Sequence, residues 1–140
     1  MATAEADADE AYAELRDRVQ RISNVGNAAG VLYWDQQIKM PDEGTPARSK
    51  QLSTLQSVRH DLLTDERTGE LLDELDGADL DDEQAAVVRE IRREYEREVT
   101  VPGDLVEELS ETVSEAQQAW REAKEEDEFE TFAPYLDRLR

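Results

Sequence analysis

The chain has 140 residues and a formal net charge of −20, with 36 acidic residues against 16 basic ones. It has no basic patch, which disfavours binding to nucleic-acid phosphates, and no apolar run long enough to span a membrane. Cysteine is absent, which excludes a disulfide framework and thiolate chemistry. The first residues lack the basic segment and apolar core of a signal peptide, so we expect a cytoplasmic protein.

The acidity has a particular composition, because lysine is nearly eliminated among the basic residues and arginine dominates. Dense carboxylates with few lysines indicate adaptation to a salt-rich cytoplasm, where ions screen the repulsion between the carboxylates. The alternative interpretation is an acidic, solvated surface that carries no information about the environment.

The first helix is predicted from about residue 8 by apolar residues that recur at spacings of three and four between residues 12 and 32. Residues 1–8 are small and acidic, and we expect them to be disordered. Met40-Pro41 must end the helix, because proline lacks an N–H and restricts the residue before it. We expect the small residues in the middle of this helix to permit close packing of a neighbouring helix. They are Asn24, Gly26, Asn27 and Gly30.

Five further helices are predicted from turn residues and apolar spacing. They are expected at about 46–63, after 64–65 as far as Gly77, from Asp81 or Asp82 to about 100, from Pro102, and from Phe129 onward. The predicted apolar face of the fifth helix consists of Leu105, Leu109, Val113, Ala116, Trp120 and Ala123. No strand alternation is visible, so the fold class is all-α, with about six helices in a helical-hairpin or bundle-like layer.

The sixth helix carries several bulky apolar residues and no glycine, proline or capping residue that would stop it. We therefore expect residues 9–140 to form a single helical region that belongs to a larger protein, as an incomplete part of a larger fold.

No catalytic residue and no metal ligand is predicted. His60 is the single histidine, and a structural or solvated role is expected for it in the second helix. The acidic stretch 76–83 has its glycine too early for a calcium-binding loop and is interpreted as an interhelix loop with an N-cap.

Residues 26–48 differ from the rest of the chain, because charge nearly vanishes over ten residues and two aromatic residues precede an aspartate. Such a stretch is typical of a buried helix end or of the wall of a site. Two interpretations of Trp34 and Asp35 stay open. In one, Trp34 anchors a helix junction and Asp35 accepts a hydrogen bond from a nearby N–H or arginine. In the other, both side chains face a groove that is completed by a missing part of the same protein.

The same stretch resembles a known signature. Residues 28–36 read AAGVLYWDQ, and Met40-Pro41, Gly44, Arg48 and Gln51-Leu52 follow. This pattern is similar to the N-terminal signature of the Taq-type thermostable carboxypeptidases, which are HExxH zinc metallocarboxypeptidases. The likeness continues in one register through residues 60–72, 88–95, 101–106, 119–120 and 129–136 and covers nearly the whole chain.

The resemblance implies a largely helical, typically homodimeric enzyme with a deep groove that removes single residues from peptide C-termini. A divalent metal, zinc or cobalt, is held by the two histidines of HExxH and a downstream glutamate, and the motif glutamate serves as general base. This chain contains no HExxH, so no catalytic residue or metal ligand is transferred to it, and no cofactor is expected to bind it. The residues that carry the family signature and are expected to wall the groove are Trp34, Asp35, Gln36, Met40, Pro41, Arg48 and Gln51.

We therefore expect the N-terminal helical region of a halophilic metallocarboxypeptidase. Its partners would be the missing catalytic region and the peptide substrate, and it would be inactive alone. The alternative is a non-enzymatic, acidic helical interaction module that self-associates through its exposed apolar faces. If the chain is instead part of a larger protein, its last helix lacks a partner and is expected to self-associate or swap.

Overall fold

The computed structural model describes residues 2–140, with side chains from residue 6 onward, and these residues are almost entirely helical. The α-helices are α1 (Ala2–Ile38), α2 (Thr45–Thr64), α3 (Glu66–Glu74), α4 (Asp82–Glu98), α5 (Gly103–Glu126) and α6 (Ala133–Arg138). Short 3-10 helices at Asp42–Gly44 and Phe129–Thr131 precede α2 and α6. The described residues contain no strand, and the prediction of an all-α fold with about six helices is confirmed.

The start of the chain differs from the expectation. Residues 2–8 form the first turns of α1, whereas we predicted a disordered segment over 1–8; residue 1 lies outside the described residues. Alanine has the highest helix propensity, and carboxylates in the first turns interact favourably with the helix dipole. These two effects give the small, acidic start a reason to be helical.

The described chain forms two compact units, and α1 and α2 contribute residues to both. The first unit comprises the chain up to Asn24 together with Arg59–Pro102. Its core is apolar and draws on α1, α3 and α4: Ala11, Leu15, Leu71, Leu72, Leu75, Val88 and Ile91. Arg67 of α3 donates hydrogen bonds to both carboxylate oxygens of Glu14 on α1, at 3.0 and 2.7 Å, which ties the two helices at the edge of this core.

His60 lies inside the first unit and has a structural role. Its side chain is buried, and its Nδ1 lies 3.0 Å from a carboxylate oxygen of Glu98 on α4. One residue earlier, Arg59 donates to Glu94 at 2.6 Å. The two contacts join α2 to α4 within this unit.

The acidic loop before α4 is an interhelix loop with an N-cap, as predicted. Asp81 accepts a hydrogen bond from the backbone N–H of Gln84, and the Gln84 side chain accepts from the backbone N–H of Asp81. This reciprocal capping box satisfies two N–H groups that the helix start would otherwise leave free. Gly77 has φ of +78°, a left-handed conformation that glycine adopts without strain, and it follows the end of α3 as predicted.

The second unit comprises Val25–Val58 and Gly103–Arg140. Here the predicted apolar face of α5 is confirmed in part: Ala116 and Ala123 are buried, whereas three of its large residues are not. Leu105, Leu109 and Trp120 are each about half exposed. The buried residues of α5 are small or polar: Thr112, Ser114, Ala116, Gln118, Ala119 and Ala123. Ser114 hydrogen-bonds with Gln36 of α1 and Gln118 with Thr45 of α2, and these bonds compensate for the burial of the two polar side chains.

The aromatic residues just before α6 pack together with Trp120 of α5 within the second unit. The Phe132 ring packs edge-on against Trp120, with centroids 5.2 Å apart, and against Phe129 at 5.9 Å. Leu136 and Leu139 stay more than a third exposed. Among the described residues, none of the helices combines the length and apolar character needed to cross a membrane.

Candidate functional site

The signature residues meet where α1 ends and α2 begins, and an ion pair joins the two helices there. Arg48 on α2 donates from Nη2 to the Asp35 carboxylate at 2.8 Å, and from Nη1 to the backbone carbonyl of Leu32. Its Nε donates to the side chain of Gln51 at 3.1 Å. All three guanidinium nitrogens of this largely buried arginine thus have partners. Asp35 accepts a hydrogen bond from an arginine, as the packing interpretation of this residue expected.

Gln36 faces away from that ion pair and into the interior of the second unit. Its side chain is fully buried, and its amide Nε2 donates to Ser114 Oγ on α5 at 3.1 Å. Ser114 Oγ also lies 3.2 Å from Gln36 Oε1. The backbone carbonyl of Gln36 accepts from Arg121 at 3.0 Å, so this position binds α5 through both side chain and main chain.

A polar chain on the same two helices runs beside this buried pair. Gln37 Nε2 donates to Gln117 Oε1 at 2.7 Å, and the Gln117 amide donates to the hydroxyl of Tyr33. Partial burial disfavours the phenolate and raises the pKa of Tyr33 above its ordinary value of 10.0. Tyr33 therefore serves as a neutral hydrogen-bonding group in this unit at physiological pH.

The connection between α1 and α2 is built around Met40 and Pro41. Pro41 is exposed and extended, with φ of −63° and ψ of 150°, and the 3-10 helix begins directly after it. Met40 is half-buried and lies against Gly44: a Cβ atom on Gly44 would come within 2.9 Å of Met40 Cγ. The signature glycine at this position therefore leaves room for the methionine side chain.

Trp34 is the signature residue for which the described fold provides no packing site. Its side chain is 59% exposed, so Trp34 is not the buried anchor that one interpretation expected. Val31 and Ile38, one turn to each side of it, are 65% and 60% exposed. A Cβ atom on Gly30, which lies on the same face, would meet no neighbouring atom within 4 Å. Our expectation that Gly30 permits close packing of a neighbouring helix is therefore wrong for the described fold.

A concave, largely apolar surface of about 650 Å³ lies beside the polar chain in the second unit. Its lining includes Tyr33, Gln37, Val113, Gln117, Trp120, Phe132 and Leu139. The half-exposed state of Trp120 on α5 is a consequence of this open surface.

The structure brings Asp35, Arg48 and Gln51 into one hydrogen-bonded group. It places Gln36 in a second group, with Ser114 and Arg121 of α5. Sequence reasoning missed the α5 partners of this part of α1: Ser114 and Arg121, which bind Gln36, and Gln117, which binds Gln37 and Tyr33. Their signal was weak, because single polar residues on a charged helix are normally solvated. What distinguishes them is their spacing of three and four, which places them on one side of α5.

The described residues do not fit a metal. No group of three or more histidine, cysteine, aspartate or glutamate side chains in that part of the chain could hold an ion. The single histidine, His60, pairs with Glu98 in the other unit. The arrangement at the signature residues fixes a helix junction and presents Trp34 at its surface; it holds no nucleophile paired with a base.

Comparison with known proteins gives a consistent result. The family model described as "Carboxypeptidase Taq (M32) metallopeptidase" matches residues 14–139. Thermostable carboxypeptidase 1 of Thermus thermophilus is 35% identical over 133 residues, which is 92% of this chain and 26% of that protein. Thermostable carboxypeptidase 1 of Pyrococcus furiosus is 33% identical over 132 residues, 94% of this chain and again 26% of the relative.

Solved structures agree with the sequence matches. The crystal structure of BsuCP superposes with a TM-score of 0.89 at 30% identity and covers 93% of this chain and 27% of that one. The structure of Trypanosoma cruzi metallocarboxypeptidase 1 has a TM-score of 0.71 at 30% identity and covers 93% of this chain and 26% of that one.

The extent of these matches shows which part of the related proteins this chain corresponds to. The chain spans about a quarter of the length of the curated relatives that it matches, and the matched part is their N-terminal quarter. Nearly all of this chain is matched, in sequence and in fold alike. The chain belongs to the carboxypeptidase Taq (M32) metallopeptidase family.

Proposed function

We propose that this chain is the N-terminal helical region of a metal-dependent carboxypeptidase that releases single residues from peptide C-termini. In this proposal residues 9–140 act as one region that packs against a catalytic region and forms one wall of the substrate groove. The observation that carries the proposal is the family match over residues 14–139, together with a TM-score of 0.89 to a structure of which the chain covers 27%.

The contacts of the signature residues support a role in positioning the Trp34 side chain. Asp35 and Arg48 lock the end of α1 to the start of α2, and Gln36 locks the same turn of α1 to α5. Trp34, directly before Asp35 and Gln36 in the chain, is held at the surface by this fixed part of the backbone. A bulky side chain presented in this way suits a groove wall, because its position is set by its neighbours and its ring stays free to contact a substrate or a catalytic region.

The chemistry of the reaction would come from the catalytic region. In that region we expect a divalent metal, zinc or cobalt, to activate the attacking water. The described residues of this chain include no cluster that could hold such an ion, so we assign them no step of the reaction.

We also propose that the parent enzyme works in the cytoplasm of a salt-rich cell. Support comes from the charge of −20 and from the scarcity of lysine in the whole sequence. In dilute buffer the excess of carboxylates would repel one another, whereas at about 1 M salt the screening length falls to about 3 Å.

The proposal is tested in two steps. The isolated chain, mixed with peptides and with added zinc or cobalt, is expected to release no C-terminal residue; metal-dependent release would contradict the inactive-alone role. In the second step the chain replaces the matched N-terminal quarter of the Bacillus subtilis carboxypeptidase, which is 30% identical over 128 residues. The chimera is expected to release C-terminal residues in a metal-dependent manner.

Variants of the chimera test the groove-wall role separately. Trp34→Ala is expected to raise KM for peptides several-fold, whereas Val58→Ala, an exposed apolar residue on α2, is expected to leave KM unchanged. Equal KM values for the two variants would contradict a substrate-facing position of Trp34.

A further inference from the structure

The concave surface of the second unit has the size and the lining of a site for a small organic molecule. Its volume is about 650 Å³, and ligand sites commonly measure about 300–1,000 Å³. Trp120 is half exposed there, and the Phe132 ring packs against it with the centroids 5.2 Å apart. The indole thus keeps an open side, and a flat ring can pack against that side.

Arg121 is the only charged residue among the described residues that line this surface. It forms no ion pair with a described carboxylate, although the chain has 36 acidic residues. Every other partly buried arginine in the described part of the chain does pair with a carboxylate: Arg18, Arg48, Arg59, Arg67 and Arg92. The charge of Arg121 is therefore without a counterion in this fold.

The hydrogen bonds of Arg121 are also incomplete. Nη1 donates to the backbone carbonyl of Gln36 at 3.0 Å, and Nη2 donates to the side-chain oxygen of Gln118, so both acceptors are neutral. Nε is buried and has no hydrogen-bond partner among the described residues. A buried donor without a partner lowers stability, and so does a partly buried cation without an anion. An anion bound against the guanidinium would compensate for both.

Tyr33 provides a second donor at the same surface. Its hydroxyl accepts a hydrogen bond from Gln117, and burial raises its pKa, so the phenol keeps a proton that it can donate. The described lining contains no carboxylate that would repel an anion. An apolar surface with one unpaired cation and a neutral donor is complementary to a molecule that has an apolar body and an anionic end.

We propose that the concave surface binds a small carboxylic acid with an aromatic body, whose ring packs against Trp120 and whose carboxylate binds Arg121. The occupant is a free small molecule. The proposal goes beyond the proposed function and does not rest on it, because its evidence consists of contacts within the second unit.

The experiment is a titration of the 140-residue chain with phenylpropionate, followed by nuclear magnetic resonance of the isotope-labelled chain. Phenylpropionamide has the same ring and a similar shape without the charge, and it is the matched control ligand. The acid is expected to bind at least about tenfold more tightly than the amide, because hydrogen bonds to charged groups are stronger. The signals of the Arg121 Nε–H and of the Trp120 indole N–H are expected to shift during the titration.

Variants of Arg121 test the contact with the carboxylate. Arg121→Gln is expected to weaken binding of phenylpropionate about tenfold and to leave phenylpropionamide unchanged, so the preference for the acid disappears. Arg121→Lys keeps the charge and is expected to retain part of the preference. Arg89→Gln removes an exposed arginine of the first unit and is expected to change neither affinity.

A second pair of variants tests the apolar contacts. Leu139→Ala removes part of the lining and is expected to weaken the acid and the amide several-fold and by the same factor. Leu109→Ala removes the same atoms from an exposed position of α5 outside the lining, and it is expected to leave both affinities unchanged. The dispersion of the resonance signals shows that each variant is folded.

Three results would overturn the proposal. The first is the absence of saturable binding of phenylpropionate, and the second is a preference for the acid that is missing in the wild type or persists in Arg121→Gln. The third is binding that the 140-residue chain shows and the active chimera with the Bacillus subtilis remainder lacks. That result would assign the concave surface to packing against the catalytic region. The proposed function would stand in all three cases.

Discussion

The Arg48 guanidinium binds the Asp35 carboxylate and the Leu32 carbonyl at the same time, so a single α2 side chain fixes two positions on successive turns of α1. Only a planar, forked donor can make both contacts while a third nitrogen binds Gln51. We expect Arg48→Lys, which keeps the charge, to lower the free energy of unfolding by about 1–2 kcal/mol. Urea unfolding followed by circular dichroism measures this loss.

The control for this prediction is Gln51→Ala, because Gln51 is exposed and its loss removes one contact of Arg48 while the ion pair stays. Its effect is expected to stay within about 0.5 kcal/mol. If Arg48→Lys were as stable as the wild type, the forked geometry would have no energetic role.

The buried pair Gln36 and Ser114 is expected to be interdependent. Gln36→Leu leaves the Ser114 hydroxyl buried without its side-chain partner, which is expected to lower the free energy of unfolding by about 2 kcal/mol. In a Ser114→Ala background the same substitution is expected to cost less, because no orphaned hydroxyl remains. A double-mutant cycle measures the coupling, and purely additive effects would contradict it.

Gly30 and Gly69 both lie within helices, and their replacement by alanine is expected to have opposite effects. A Cβ atom at Gly69 would lie 2.5 Å from the Tyr95 hydroxyl, and Tyr95 packs against the core of the first unit. We expect Gly69→Ala to destabilise the chain by about 1 kcal/mol, despite the higher helix propensity of alanine. Gly30→Ala, with open space around it, is expected to stabilise the monomer by up to about 1 kcal/mol.

Thermal unfolding of the two alanine variants at low protein concentration tests this contrast. Tyr95→Phe removes the hydroxyl that the new Cβ atom would meet, so it is expected to relieve part of the Gly69→Ala defect. Equal shifts of the midpoint for the two glycine substitutions would contradict the close approach of Tyr95.

The ion pair between Glu14 and Arg67 predicts an acid dependence of stability. The hydrogen bond from Arg67 lowers the pKa of Glu14 below its ordinary value of 4.5. A carboxyl group whose pKa is lower in the folded state stabilises that state above its unfolded pKa, and the contribution is lost as pH falls through the folded pKa. Part of the stability is therefore expected to disappear below about pH 4.5.

Urea unfolding at neutral pH and at a series of acidic pH values measures this dependence. Glu14→Gln is expected to flatten the acid side of the profile. In an Arg67→Gln background, Glu14→Gln is expected to change the profile less, because the main group that lowers the Glu14 pKa has been removed and only the weaker effect of Arg18 is left. A pH profile of Glu14→Gln that matches the wild type would contradict the assignment.

Salt is expected to stabilise the chain. With a net charge of −20, raising KCl from dilute buffer to about 1 M screens repulsion between carboxylates and is expected to raise the unfolding midpoint. Ion pairs such as Lys50 with Glu111 weaken under the same conditions, but they are few against the excess of acidic residues. Helical circular dichroism that is independent of KCl would contradict the salt-adapted interpretation.

The helix boundaries were predictable because they depend on local signals. Proline at position 41, glycine at 77 and the aspartate cap at 81 each determine a helix end through their own backbone or side chain. Residues 2–8 were an exception, because a small, acidic segment suits both a disordered tail and the first turns of a helix.

The interior of the second unit was less predictable, since it depends on contacts between residues distant in sequence. Leu105, Leu109 and Trp120 form a clear apolar stripe on α5, yet the buried side of that helix carries Ser114 and Gln118. Apolar spacing identifies a helix face that could be buried. Which face is buried depends on the hydrogen-bonding partners that the neighbouring helices provide. Similarly, Asp35 suggested an arginine partner, whereas the identity of that partner as Arg48 emerged only from the fold.

The buried Gln36 also determines how far α1 can slide along α5. A displacement by one helical turn is about 5.4 Å and would move the amide away from both Ser114 and Arg121. Each polar group left buried without a partner costs about 1–3 kcal/mol, whereas apolar side chains alone would tolerate several alignments. Gln36 therefore specifies one axial alignment of the two helices, and with it the place at which Trp34 is presented.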